Sequence, residues 1–132
     1  MAGLTLDAGA LIAAERDDRR FWAFWKEALQ RDIEIVVPAT ALAQVWRGPK
    51  SARQALVLKG SEVEALDEPR AKATGVLCGR AGTSDVVDAH VVVGAYARGD
   101  DILTTDPEDF ERLAEHVARP PRIIDIRRLP KP

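Results

Sequence analysis

The sequence predicts an α/β fold: a mainly parallel sheet covered by helices on both faces. Short apolar runs alternate with helical stretches along the whole chain. The runs are continuously apolar rather than alternating, as expected of strands buried on both faces. The segments follow one another with no linker, repeat or low-complexity tract, so residues 1–132 are read as a single domain.

Each element has its own signal. GLTL (3–6) reads as a strand and passes at once into the helical pattern of residues 8–15. A second helix runs from about 18 to 31, where Phe21, Trp22, Phe24, Trp25 and Leu29 form a wide apolar stripe. IEIVV (33–37), rich in β-branched residues, is a buried strand expected to end at Pro38. Residues 40–47 are helical and Gly48-Pro49 stops them. A short helix over 51–59 is closed by Gly60, VEAL (63–66) is a strand, and 68–80 is a helix weakened by Gly75 and Gly79. The helix over 84–98 is expected to be capped by Ser84 and stopped by Gly99. ILTT (102–105), a helix over 107–117 and RIIDI (122–126) complete the series. In parallel sheets the functional site lies at the carboxyl ends of the strands. Asp7 and Asp106 each follow a strand directly.

Composition narrows the class. Apolar residues at 46% and charged residues at 30% are ordinary globular values and exclude a disordered chain. No apolar run approaches the roughly 18 residues of a membrane helix. The N-terminal stretch has no basic region and Asp7 interrupts it, so a signal peptide is not expected and the domain is read as soluble and cytoplasmic. Cys78 is the only cysteine, which excludes an intramolecular disulfide and a cysteine-based metal cluster. The net charge of −2 hides segregation. Residues 85–111 carry eight acids against one base, Arg98, whereas 47–80 carry seven bases against four acids and 112–132 six against two. An acidic pocket beside basic surface suits a metal-dependent enzyme acting on a polyanion.

Three acids are candidates for that pocket. Asp7 can simply cap the following helix, and Asp106-Pro107-Glu108-Asp109 is a good helix start in its own right. Asp88 is harder to explain by local structure. It lies in DVVDAHVVVGAYA (85–97), apolar on nearly every side, where a lone carboxylate is costly to bury, and Asp85 shares its face three positions earlier. Two carboxylates about 4 Å apart repel by roughly 4 kcal/mol at an effective dielectric of 20. If the three meet, they must take up protons or hold a cation. All-oxygen ligation suits Mg2+ or Mn2+ rather than zinc.

LTLDAGALIA (4–13), PATALAQVWRG (38–48), DVVDAHVVVGA (85–95) and ILTTDPEDF (102–110), in this order and spacing, resemble the PIN-domain ribonucleases, and among them the VapC-type toxins of bacterial toxin–antitoxin pairs. The resemblance covers essentially the whole chain. It implies a three-layer α/β/α sandwich and metal-dependent hydrolysis of RNA phosphodiester bonds. Carried over position by position, it places the metal-holding acids at Asp7, Asp88 and Asp106, with a further acid at Asp109. Where the family usually has a glutamate in the helix after the second strand, this chain has Gln44. An amide oxygen can still meet a hard cation but brings no charge, and Asp85 is the candidate to compensate. The resemblance also implies a cognate antitoxin lying in a hydrophobic groove near the early helices and blocking the acidic site, and it is compatible with a homodimer.

The other residues of interest divide between structure and partner. His90 and His116 are assigned structural or surface roles, Thr104 and Thr105 are strand formers with Thr105 able to orient a ligand, and Cys78 is a small core residue. The run Phe21 to Trp25 is too aromatic for one buried stripe, so some of it is expected at a partner surface that Trp46 joins. A PIN-like module that binds RNA or protein without cutting is the alternative that Gln44 raises. A phospho-acceptor receiver-like domain is excluded, because IEIVVP and RIIDIRRL lack its aspartate and lysine.

Overall fold

The structure is a computed structural model that describes residues 2–132. Five strands, β1 (Leu4–Leu6), β2 (Ile35–Pro38), β3 (Glu62–Glu64), β4 (Asp101–Thr104) and β5 (Ile123–Asp125), form one sheet in the order β3-β2-β1-β4-β5 with every pair parallel. Seven α-helices connect them: α1 (Ala8–Glu15), α2 (Arg19–Gln30), α3 (Ala39–Val45), α4 (Ala52–Lys59), α5 (Glu68–Ala81), α6 (Val86–Arg98) and α7 (Pro107–Ala114).

Side-chain alternation along the buried strands builds two cores. Leu4, Leu6, Ile35, Val37 and Leu103 face α1, α2 and α4, whereas Ile102 faces the buried sides of α5, α6 and α7. Helix α3 leans on both, with Ala41 in the second core and Leu42 and Val45 against the first. The result is the expected three-layer sandwich. The strand order reverses direction between β1 and β4, and that switch point opens a crevice at the carboxyl ends of these two strands. Leu6 pairs with Leu103, so Asp7 stands level with Thr104.

Several element boundaries differ from expectation. Pro38 ends β2 from within it, pairing with Glu64 at the sheet's outer side rather than terminating the strand before it. Strand β3 starts one residue early and stops at Glu64, two residues short of the expected end, as an exposed edge strand. Asp85, not Ser84, caps α6: its Oδ1 accepts the backbone N–H of Asp88 at 3.0 Å. Gly75 and Gly79 do not break α5, which ends at Gly82 with φ +67°, a conformation glycine adopts without strain. Helix α7 ends at Ala114, three residues early, and a 3₁₀ turn over Ile126–Arg128 follows β5.

A buried polar chain ties the edge of the sheet to its centre. Thr5 Oγ1 and Arg98 Nε both donate to Asp100 Oδ2 at 2.8 Å, and Arg98 reaches back to Thr5 and across to Glu64. Glu64 accepts from His90 Nε2 at 3.1 Å, and His90 Nδ1 accepts the Thr40 hydroxyl at 2.8 Å. His90 is therefore structural, fully enclosed between α6, α3 and β3, and burial lowers its pKa.

Candidate active site

Asp7 both caps a helix and faces the crevice. It is 3% exposed; Oδ1 accepts the N–H of Ala10 at 2.7 Å, and Oδ2 accepts the Thr104 hydroxyl at 2.5 Å. Burial pushes its pKa up to about 7, the negative charge of Asp106 adds to the rise, and the two hydrogen bonds only partly oppose it.

Thr104 holds the second strand end as well, because its Oγ1 accepts the N–H of Asp106 at 2.8 Å. Asp106 occupies the cap position of α7, yet its carboxylate makes no capping bond. The local explanation for this residue thus falls away, and its exposed carboxylate is turned to the crevice side. Gly9 shows how close the two acids come. A Cβ at Gly9 would stand 3.4 Å from Asp7 Oδ1 and 3.4 Å from Asp106 Oδ2, so these oxygens lie within twice that distance of each other. Thr105 Oγ1 stands too close to that position to admit a Cβ, so glycine lets it approach α1, and it lies 3.4 Å from Asp106 Oδ2.

Asp88 approaches from the first turn of α6. Its pKa is also raised to about 7, first by burial, then by the charge and hydrogen bond of Asp85, and further by Asp7 and Asp109. Asp85, Asp88 and Asp109 line one open cleft of about 400 Å3 whose far side carries Arg112 and His116. The structure thus gathers Asp7, Asp106, Asp88, Asp85 and Asp109 at the ends of β1 and β4 and the adjoining starts of α6 and α7. A hollow of similar size at the opposite strand ends, lined by Phe24, Arg31 and Arg122, holds no such cluster.

A sequence model of the PIN domain matches residues 4–116. The chain belongs to the PIN-domain family. Solved structures share the fold: the VapBC2 complex of Rickettsia felis bound to a DNA fragment from its promoter has a TM-score of 0.68 at 15% identity, covering 92% of this chain and 97% of that one. DNA-bound VapBC from Salmonella typhimurium has a TM-score of 0.67 at 19% identity, covering 96% and 99%. A toxin–antitoxin complex from Klebsiella pneumoniae has a TM-score of 0.68 at 17% identity, covering 95% and 98%. No curated protein sequence matches the chain significantly.

Within this PIN domain, Gln44 holds the place at which the resemblance expects a glutamate. It is exposed on α3, and its backbone carbonyl accepts from Arg47 Nη2 at 3.0 Å. Among the described residues its side chain makes no hydrogen bond. Asp7, Asp88 and Asp106 nevertheless suit a hard divalent cation. Two carboxylates are held near neutral pKa with no basic group among the causes, all donors are oxygens, and the bare Gly9 lets Asp7, Thr105 and Asp106 gather around it. Among the described residues, no three His, Cys, Asp or Glu side chains already stand in a metal-gripping arrangement. Loading would therefore require the carboxylates to draw in.

Two features escaped the sequence reading. Thr104 looked like strand filler, and only the register beside Asp7 shows its two hydrogen bonds. The packing within the aromatic run was the other. Phe21 is buried, and Trp22, Phe24 and Trp25 are half-buried against the first core, with Trp22 edge-to-face to Phe21 and Trp25 at 5.2 and 5.3 Å. The exposed apolar side chains nearby are Ile12, Leu29, Trp46 and Leu56.

Proposed function

We propose that the protein is a metal-dependent endoribonuclease that hydrolyses RNA phosphodiester bonds as the VapC-type toxin of a toxin–antitoxin pair. One observation carries the reading: Asp7, buried at the switch point, stands near Asp106 while Asp88 and Asp85 face the adjoining cleft, and among the described residues no basic side chain holds down the pKa of Asp7 or Asp88. Asp7, Asp88 and Asp106 would hold Mg2+ or Mn2+. When bound, the ion supplies an acidified, positioned water for in-line attack on phosphorus and offsets charge on the phosphate.

The chain's own groups prepare that site. Ala10 N–H and the Thr104 hydroxyl fix both oxygens of Asp7, which leaves its remaining lone pairs aimed at the crevice. Asp88, when protonated, donates to Asp85, so deprotonation breaks this bond and frees the Asp88 carboxylate, while Asp85 keeps the backbone N–H of Asp88 as the cap of α6. Gln44 and Asp85 are the candidates to complete the set, Asp85 supplying the charge that an amide at position 44 lacks.

The partner is a cognate antitoxin. The structural relatives include toxin–antitoxin complexes, and the half-buried aromatics of α2 with Trp46 and Leu56 offer an apolar seat. A basic antitoxin side chain reaching Asp7 and Asp106 would neutralise them as a cation does, so inhibition and metal binding should compete. The site of action is the cytoplasm, where its RNA substrate lies; among the described residues no helix is long and apolar enough to cross a membrane. A non-catalytic RNA- or protein-binding PIN module is the second reading, favoured by the exposed Gln44 and by the open arrangement of the acids.

Incubation of the purified protein with total RNA, with and without Mn2+, beside an Asp7→Asn control, separates the two. Mn2+-dependent cleavage by the parent alone supports the nuclease. RNA left intact, or cut equally by Asp7→Asn, overturns it.

A further inference from the structure

The cleft beside Asp88 has two unlike walls. One carries Asp85 and Asp88 at the start of α6; the other, formed by α7 and the turn after it, brings Asp109, Arg112 and His116 to the same hollow. Neither Arg112 nor His116 belongs to either core. Arg112 is 76% exposed and pairs with Asp109, itself 51% exposed, Nη2 to Oδ1 at 2.9 Å. His116 is exposed four residues further on. Leu113 and Ala81 give the hollow an apolar floor.

We propose that this cleft seats the nucleotide adjoining the scissile phosphate of a single-stranded RNA, with Arg112 taking a backbone phosphate and His116 lying against the base. The inference rests on the ribonuclease reading and assigns the residues that hold the strand. A polyanion brought to Asp85 and Asp88 is repelled unless a fixed cation stands alongside. Among the described residues that line the hollow, Arg112 is the one that carries a permanent positive charge, and its planar fork matches phosphate oxygens. The present partner holds it weakly, because an exposed ion pair is screened by solvent and salt. The volume of about 400 Å3 accommodates one nucleotide. A base enters it only when unstacked, which selects single strands, and imidazole is a suitable stacking face.

The test is binding of a short labelled single-stranded RNA, read by anisotropy across a range of KCl at pH 8, in the Asp7→Asn background that removes cleavage. Arg112→Ala should weaken binding roughly tenfold and lower the slope of log affinity against log salt by about 0.7, the value for one phosphate contact on a single strand. His116→Ala should weaken binding at least about fivefold with the slope kept. Arg31→Ala, an exposed arginine at the far strand ends, should change neither quantity. In the parent background Arg112→Ala should raise KM and leave kcat. Arg112→Ala with unchanged affinity and slope, or a duplex bound as tightly as the single strand, overturns this inference while the ribonuclease reading stands. Failure of both the parent and Asp7→Asn to bind RNA overturns both.

Discussion

Replacing Asp7 by Asn should stabilise the metal-free protein, and increasingly so as pH rises. Burial is the main cause that lifts the Asp7 carboxyl from 3.8 to about 7, with the charge of Asp106 adding to it. At about 1.4 kcal/mol per pH unit, ionising it inside the fold costs roughly 4 kcal/mol. The sign follows from proton counting. Between about pH 4 and 7 the folded state holds a proton that the unfolded chain has released, so stability falls as pH rises through this window. Below it nothing is lost, and above it the whole amount is. Asn keeps the shape and the acceptor for Ala10, and its amide can donate to Thr104, whose hydroxyl then turns. Urea unfolding in EDTA from pH 4 to pH 9 reads the difference. The two proteins should be similar at the acid end and separate by several kcal/mol at pH 8, Asn being the more stable. Saturating Mn2+ should close the gap by stabilising the parent alone. Parallel pH profiles for the two proteins would refute the placement of Asp7 as an uncompensated buried acid.

The remaining predictions concern neighbours of that carboxylate. Gly9→Ala drives a Cβ into Thr105 Oγ1 and should lower the melting temperature despite alanine's helix preference of about 0.5–1 kcal/mol, while displacing Thr105 beside Asp7 and Asp106 and abolishing Mn2+ binding. Calorimetry that finds normal Mn2+ affinity would show that the cation does not bind there. Thr104→Val keeps volume but removes the donor to Asp7 and the acceptor for Asp106; it should cost about 1–3 kcal/mol of stability by urea unfolding and weaken Mn2+ binding. Gln44→Glu, at an exposed position, should leave stability within about 0.5 kcal/mol and tighten Mn2+ binding by about 1 kcal/mol. Unchanged affinity there, with binding abolished by Asp85→Asn, would show that Asp85 already supplies the charge.

The parts of the molecule legible in the sequence are those where one residue carries conflicting local signals. Asp88 is a carboxylate in an apolar helix, and Asp7 follows an apolar run directly, so each stands out without a structure. The α/β alternation likewise places both strand ends. What was not legible depends on neighbours far apart in the chain. Thr104 has the composition of an ordinary strand residue, and only the pairing of Leu6 with Leu103 brings it to Asp7. Glu64, His90, Arg98 and Asp100 meet through the sheet order, which no spacing rule encodes. Ser84 and Asp85 are both good caps, and propensity does not choose between adjacent ones. In the aromatic run, composition shows that one stripe cannot bury every ring, but only the fold shows that edge-to-face packing half-buries Trp22 and Trp25 together.

The central claim is that Asp7, Asp88 and Asp106 act on one divalent cation. Calorimetric titration of Mn2+ at pH 8 into the parent and the three single Asp→Asn proteins tests it most directly. One binding event in the parent, lost or severely weakened in all three variants, is the predicted result. Parental affinity retained in any one of them would contradict the claim.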